Sequence, residues 1–167
     1  MISLNSKITS AAIIIIGLSL VSCGVYSFSA TKSGDIENLA IPLFEDQTLE
    51  GGLGSAVTDR LADAFVKDNN LKVVTEQKAD GIIRGTIVSY KREGYTYNQQ
   101  EVVSEYKCTI SSNVQFISRK SGKIIWEETG MQSWGTYKSD TEIENDGKDR
   151  AIDKLVEDIF NKTVKGW

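Results

Sequence analysis

A strict alternation of apolar and polar residues runs through the middle of the chain, over residues 101–118. Six apolar side chains there share one parity: Val102, Tyr106, Cys108, Ile110, Val114 and Phe116. Polar residues occupy the other parity, and this period of two predicts an antiparallel strand with one face in water. The segment SRKSGK (118–123) then predicts a hairpin turn at Gly122, which leads into a returning strand over 123–137.

Two other segments repeat their apolar residues with the period of a helix. Residues 49–70 carry a stripe formed by Leu53, Val57, Leu61, Ala64 and Phe65. Residues 139–167 carry a second stripe formed by Ala151, Ile152, Leu155, Val156, Ile159 and Phe160. Each stripe covers one helical face, so both segments predict amphipathic helices. Ser139 and Glu142 have the spacing of a capping box, which places the start of the second helix near Ser139.

The first half of the chain adds a further strand. Residues 35–48 predict a strand with Leu39, Ile41 and Leu43 on one face. Pro42 cannot donate a ladder hydrogen bond, so we expect it at an open edge or at a bulge.

The order of these elements defines the expected fold class. A short strand over 71–77 and a central strand over 81–94 complete the pattern of strand, helix, short strand, three longer strands and helix. We predict an α+β fold, a two-layer sandwich with one mixed or antiparallel sheet of about four to five strands. Both amphipathic helices pack on one face of this sheet. The opposite face stays hydrophilic or meets a partner.

The N-terminus has the features of an export signal. Lys7 is the only charged residue before Cys23, and the apolar run AAIIIIGLSLV (11–21) is too short to span a membrane as a helix. Leu20-Val21-Ser22-Cys23 resembles the bacterial lipobox, in which the cysteine thiol is acylated and the signal is cut before it. We therefore predict a cleaved lipoprotein signal at 1–22, lipidation of Cys23, a tether at 23–34 and one domain at 35–167. Gly24 after the cysteine favours the outer membrane.

Composition excludes several classes of chemistry. The chain has 19 basic and 23 acidic side chains and no histidine. It therefore lacks Ser-His-Asp or Cys-His catalysis and the usual zinc ligand sets. No overall basic field is present, which argues against nucleic acid as a partner. Glu127 and Glu128 are neighbours on a strand and point to opposite faces, so they do not form a catalytic pair. We predict no catalytic residues, no metal site and no cofactor, and we expect Cys108 to be a small buried hydrophobe.

With these elements placed, the chain resembles the LptE family of lipopolysaccharide-assembly lipoproteins. The resemblance lies in CGVYSF, IENLAIPLFEDQTLEGGL, ADGIIRGTIVSY and the closing AIDKLVEDIFNKTVKGW. It implies an outer-membrane lipoprotein without enzymatic activity that partners and plugs a β-barrel, LptD, and assists lipopolysaccharide assembly at the cell surface. The implied partners are an LptD-like barrel, lipopolysaccharide and the outer membrane. The implied location is the periplasmic side of that membrane and the barrel lumen.

Two groups of cations are candidates for contact with lipid A phosphates. Arg119, Lys120 and Lys123 surround the predicted hairpin turn, and Lys91 and Arg92 lie at the end of the central strand. The alternative interpretation is that these charges only keep a turn and a strand end soluble. Four tyrosines enrich the neighbouring strands and favour an interface or ordinary strand packing: Tyr90, Tyr95, Tyr97 and Tyr106. The three tryptophans are interpreted as core or sheet cover: Trp126, Trp134 and Trp167.

Two other functions remain open on the sequence alone. The first is a general periplasmic scaffold or binding lipoprotein of another envelope-assembly or secretion complex. The second is a carboxylate-based hydrolase, which would need two inward-facing carboxylates about 5 to 9 Å apart in a cleft.

Overall fold

A computed structural model describes residues 36–165 of the chain. The signal peptide, Cys23, the tether and Trp167 lie outside the described residues. The elements follow in the order β1 (Asn38–Ala40), β2 (Glu45–Asp46), α1 (Leu53–Asp68), β3 (Lys72–Val73), a 3₁₀ turn (Glu76–Lys78), β4 (Gly81–Tyr97), β5 (Val103–Ser118), β6 (Ile124–Lys138) and α2 (Glu144–Lys165).

The strands form one mixed sheet of six strands. The order across the sheet is β3-β1-β4-β5-β6, and β2 pairs with β4 beside β1. β1 runs parallel to both β3 and β4, whereas β4, β5 and β6 form a long antiparallel meander. The predicted α+β class with a mixed sheet and two helices is confirmed. The sheet has one strand more than the sequence pattern indicated, because the single strand predicted over 35–48 is divided into β1 and β2.

Both helices pack on the same face of this sheet, as predicted. Leu61 of α1 and Leu155 of α2 are completely buried, and they share one core with the even-numbered side chains Ile110 and Val114 of β5. The rings of Phe65 and Phe160 join the two helices at a centroid distance of 4.9 Å. The core therefore lies between the helix layer and one face of the meander, and Cys108 is buried there as expected.

The first strand is shorter than predicted. The extended pairing stops after Ala40 and resumes only at β2, because Pro42 between them has no N–H to donate. The irregular residues change which side chains face inward, so Leu43 is 72% exposed while Leu39 and Phe44 both enter the core. The predicted shared face of Leu39 and Leu43 is therefore wrong.

The predicted capping box of the second helix is also wrong. The Ser139 hydroxyl donates to the carbonyl oxygens of Val103 and Ser104, so it joins the preceding loop to β5. The helix begins only at Glu144. Asp146 accepts a hydrogen bond of 2.8 Å from the Ile143 N–H, so a carboxylate inside the first turn satisfies the backbone just before it.

Two glycines bring α2 unusually close to β6. A Cβ atom at Gly135 would lie 2.5 Å from the Gly147 carbonyl oxygen and 2.5 Å from the Arg150 Cβ. A Cβ atom at Gly147 would lie 2.8 Å from the Tyr137 ring. Gly147 weakens helical propensity, but the close approach requires a residue without a side chain at both positions.

Candidate functional site

The hairpin between β5 and β6 presents cations at its tip. The Gly122 N–H donates to the Ser118 carbonyl oxygen over 2.8 Å, and Gly122 adopts a φ of +67° that favours glycine. Arg119, Lys120 and Lys123 are all exposed on this turn. None of the three forms a salt bridge with any residue between positions 36 and 165. The tip therefore carries basic side chains that are available to an anionic ligand.

The Asp80 carboxylate, close enough to Lys120 to be affected by its charge, is hydrogen-bonded elsewhere. Asp80 accepts hydrogen bonds from the Asn38 backbone and side chain, both at 2.9 Å, and from the Glu37 N–H at 3.2 Å. These bonds from Asn38, more than the nearby Lys120, hold the pKa of the Asp80 carboxyl below its usual value. Asp80 thus anchors β1 and remains ionised.

A shallow groove of about 290 Å³ lies beside the tip on the helix-free face of the sheet. Arg84 of β4 and Arg119 line it together with Ile82, and Arg84 pairs with Glu76 at 2.9 Å. Sequence reasoning missed Arg84, because a single arginine inside a strand carries no local signal. Only the register of β4 against β5 brings it to this end of the sheet.

Lys91 and Arg92 do not form a cation pair, because neighbouring residues of β4 point to opposite faces. Lys91 pairs with Glu93 at 2.6 Å on the helix-free face. Arg92 lies on the helix side, where it pairs with Glu144 at 3.0 Å and its guanidinium covers the Tyr106 ring at 4.7 Å. Arg92 is therefore committed to internal contacts. The β4 strand continues to Tyr97, so both residues lie within it and not at its end.

The two candidate groups of cations are far apart. Lys91 lies opposite Thr109 of β5, whereas the turn follows Ser118 of the same strand. An extended strand rises about 3.3 Å per residue, so the nine intervening steps separate the groups by about 30 Å. The structure does not bring the two groups into one site.

A polar network lies between the start of α2 and the meander. The Tyr90 hydroxyl donates to Glu144 Oε1 at 2.7 Å and lies 3.1 Å from Cys108 Sγ. Burial raises the pKa of the Tyr90 hydroxyl and of the Cys108 thiol, so both stay protonated. A protonated buried thiol is a poor nucleophile, and this network holds the helix in place.

The described part of the chain offers no catalytic constellation. Within residues 36–165, no group of three or more acidic or cysteine side chains could hold a metal ion. Glu127 and Glu128 point to opposite faces: Glu127 reaches Gln115, and Glu128 pairs with Lys162 of α2. A carboxylate general acid needs a raised pKa. By contrast, hydrogen bonds and cations outweigh burial and lower the pKa of five carboxyl groups, those of Asp46, Asp80, Glu93, Glu142 and Glu144.

The helix-free face carries an open cleft of about 430 Å³ across the meander. Trp134 of β6 lines it and is 51% exposed, so this tryptophan lies on the outer face of the sheet and not in the core. Trp126 does pack on the core, against Phe116 at a centroid distance of 6.4 Å. The sequence signal for the cleft was the polar parity of 105–115, but this signal did not distinguish a site from a wet surface.

These features define a class of protein. It is an α+β domain with a buried apolar core beneath two helices and with charged and polar outer surfaces. The family described as LptE, Lipopolysaccharide-assembly, matches residues 36–163. The match extends from just before β1 into the last turns of α2, and the chain belongs to this family.

Solved structures share the fold at low sequence identity. A hypothetical protein from Chlamydia trachomatis is 10% identical, with a TM-score of 0.57 over 75% of this chain and 94% of that chain. A protein from Xanthomonas campestris is 10% identical, with a TM-score of 0.52 over 75% and 82% of the respective chains. The rare lipoprotein B from Shewanella oneidensis is 16% identical, with a TM-score of 0.43 over 77% and 97%. The comparison with curated proteins gave no match.

Membership of the family assigns the chain to the envelope lipoproteins that take part in lipopolysaccharide assembly. This family is one of assembly factors and not of enzymes. Among residues 36–165, no helix combines the length and apolar character needed to cross a membrane.

Proposed function

We propose that the chain is an outer-membrane lipoprotein that partners an LptD-like β-barrel, occupies part of its lumen and assists lipopolysaccharide assembly at the cell surface. The observation that carries this proposal is the family match over 36–163, which covers both layers of the domain. The proposal predicts a stable complex with one very large barrel protein.

The two outer surfaces of the domain suit a polar, enclosed environment. The interior of a large membrane β-barrel is lined with polar side chains. The helix-free face of the sheet presents hydroxyl groups, amides such as Gln115, which donates to Glu127, and paired charges such as Lys91 with Glu93. On the helix side, Arg60 of α1 pairs with Asp149 and Asp153 of α2, so the outer helix layer is also held together by charges. Such a domain can contact a polar wall without a change in its core.

In this role the hairpin tip would contact lipid A. Charge-assisted hydrogen bonds to phosphate are stronger than ordinary ones, and Arg119, Lys120 and Lys123 have no competing salt bridge within the described region. A turn at the end of two long strands can reach a ligand that a residue in mid-strand cannot. Lys91 and Arg92 are the weaker candidates, since each pairs with a carboxylate of the domain.

Lipidation of Cys23 would hold the domain at the membrane. Several buried acyl chains anchor a protein more firmly than one, at about 0.8 kcal/mol per buried CH₂. A Cys23→Ala variant is expected to remain as uncleaved precursor without fatty-acid label. Normal processing and labelling of this variant would show that the lipobox interpretation is wrong.

Crosslinking in intact cells, followed by purification of the full chain and identification of the captured protein, tests the partnership. The expected product is a large outer-membrane β-barrel. Capture of a secretion ring or a cell-wall synthase in its place would instead support the alternative, a scaffold lipoprotein of another envelope complex. A variant altered only at the hairpin tip serves as a matched control, because it should still form the barrel complex.

A further inference from the structure

The cleft on the helix-free face is built from matching positions of three neighbouring strands. One residue from each of β4, β5 and β6 forms a row, and two adjacent rows form its floor. The first row is Ser89, Ser111 and Gln132, and the second is Lys91, Thr109 and Trp134. The volume of about 430 Å³ falls within the range of small-ligand sites.

The polar groups on this floor are free to bind. The side chains of Ser89, Thr109, Ser111 and Gln132 have no hydrogen-bond partner among the residues that the structure describes. Hydroxyl groups both donate and accept, and an amide does the same through separate atoms. The floor can therefore satisfy a ligand that is itself rich in hydroxyl groups.

An aromatic pair borders the cleft: Trp134 lines it, and Tyr95 packs against Trp134 from just outside the lining residues. The rings of Trp134 and Tyr95 lie 6.0 Å apart between centroids and are inclined by 39°. The two residues are 51% and 47% exposed, so their apolar surface is available to solvent. The faces of aromatic rings carry partial negative charge, which attracts the weakly positive C–H groups on the flat face of a pyranose ring.

The cleft also carries two lysines. Lys91 and Lys107 share the single carboxylate of Glu93, at 2.6 Å and 3.3 Å. The Lys107 ammonium also lies 5.6 Å from the centre of the Tyr95 ring, which keeps it beside the aromatic pair. Two ammonium groups against one carboxylate leave positive charge for an acidic substituent of a ligand.

We propose that this cleft binds an acidic oligosaccharide, with a pyranose ring on Trp134 and Tyr95 and its carboxylate or phosphate substituent near Lys91 and Lys107. This inference rests on the proposed function in one respect, since it identifies the ligand as the saccharide part of lipopolysaccharide. A docking site for protein would surround its aromatic anchors with apolar groups. Here hydroxyl and amide groups surround them in a concave site, which favours a sugar.

The test measures binding by calorimetry to the detergent-solubilised full chain. One probe is the oligosaccharide released from purified lipopolysaccharide by mild acid, and the second is the lipid A fraction of the same preparation. Trp134→Ala should weaken oligosaccharide binding at least tenfold and leave lipid A binding unchanged. Tyr97→Ala is the matched control for Trp134→Ala, because Tyr97 is an aromatic residue of similar exposure, 61%, that does not line the cleft. A thermal melt verifies the fold of each variant.

The outcomes separate this inference from the proposed function. Equal oligosaccharide affinity for Trp134→Ala and the unaltered chain would overturn the saccharide site. If Trp134→Ala loses the barrel complex but keeps its oligosaccharide binding, the saccharide site is also overturned. The cleft would then be a protein interface, and the proposed function would stand. Binding of a peptidoglycan disaccharide in place of the lipopolysaccharide saccharide would overturn the assignment of the ligand. Oligosaccharide binding that depends on Trp134, in a chain that captures no barrel, would support the site and overturn the barrel partnership.

Discussion

The two faces of the β4–β6 meander use the same backbone for opposite purposes. On the helix side, Ile110 and Val114 of β5 are completely buried under α1 and α2. On the other side, Thr109 and Ser111 alternate with them along the same strand and border an open cleft. Because successive side chains point to opposite faces, a single alternation of apolar and polar residues along the strand produces both surfaces.

This difference between the two faces indicates that the helix side stabilises the fold and that the helix-free side is available for binding. Apolar burial on the helix side contributes most of the stabilisation, at roughly 25 cal/mol per Å². The polar face contributes little to stability, since its hydroxyl and charged groups are already solvated. Substitutions on the two faces should therefore differ in magnitude and in the property that they change.

The largest expected effect is a cavity on the helix side. Leu61→Ala and Leu155→Ala should each lower the free energy of unfolding by about 2–5 kcal/mol, because both side chains are completely buried between the helices and the sheet. Denaturant unfolding of each variant measures this change. A change near zero at either position would mean that the helix layer contributes less than the described core indicates.

A steric change should have the next largest effect. Gly135→Ala places a Cβ atom 2.5 Å from the Gly147 carbonyl oxygen, so α2 must move away from β6, at a cost of about 1–3 kcal/mol. Its neighbour Thr136 lies on the other face, and Thr136→Ala should stay within about 0.5 kcal/mol. Thermal unfolding compares the two. Similar values for both variants would contradict the close approach of α2 to the sheet.

An acid-dependent change is expected at the loop that precedes α2. The Arg150 side chain and then the Lys138 N–H hold the pKa of Glu142 at about 2, below its ordinary value of 4.5. A carboxyl group with a lowered pKa in the folded state stabilises the fold above its unfolded pKa, and this contribution is lost as the pH falls toward the folded value.

The stability difference between the unaltered chain and Glu142→Gln should therefore be present at pH 6 and shrink between about pH 4.5 and pH 2. Urea unfolding at four pH values across this range measures the difference. A difference that stays constant down to pH 2 would contradict the pairing of Glu142 with Arg150.

The smallest effect on stability is expected at the hairpin tip. Replacing Arg119, Lys120 and Lys123 together by Ser should change the free energy of unfolding by no more than about 0.5 kcal/mol, because the three side chains are exposed. Lipopolysaccharide affinity should fall, and the loss should be greater at low ionic strength, where exposed charges are screened less. Binding measured at two salt concentrations provides the test.

The control for this variant removes the same positive charge elsewhere. Lys67, Lys138 and Lys165 are exposed and distant in sequence from the turn, and all three are changed to Gln. If the control lowers affinity as much as the tip variant does, net charge and not the tip is responsible. Unchanged lipopolysaccharide binding by a folded tip variant would show that the tip is only a solvated turn. Lys91 and Arg92 would then be the next residues to test.

The sequence predicted the parts of the fold that depend on periodicity. The stripe from Leu53 to Phe65 forms α1, and the alternation of β5 places Cys108 and Phe116 in the core. Such patterns repeat over many residues, so they tolerate local exceptions. The two-residue strand β2 has no repeat to detect, and it forms because β4 already provides a backbone partner.

The candidate site was harder to predict because its parts come from different strands. The cations of the hairpin turn are adjacent in sequence and were found together. Arg92 was grouped with Lys91 by adjacency, yet Glu144 of α2 pairs with it on the helix side. Trp134 and Tyr95 meet only through the register of three strands, which no local pattern reveals. Membership of the LptE family, in contrast, followed from apolar positions and turns along almost the whole domain.

The central place of β1 determines the order in which the fold can be completed. β1 comes first along the chain but lies between β3 and β4, which are synthesised later. The meander joins strands that are neighbours in sequence, and such local contacts form fastest. We therefore expect β4–β6 to fold early and β1 to insert last. Until then, the edge of β4 has unpaired N–H and C=O groups, and this intermediate is the stage at which a second chain or a chaperone can bind.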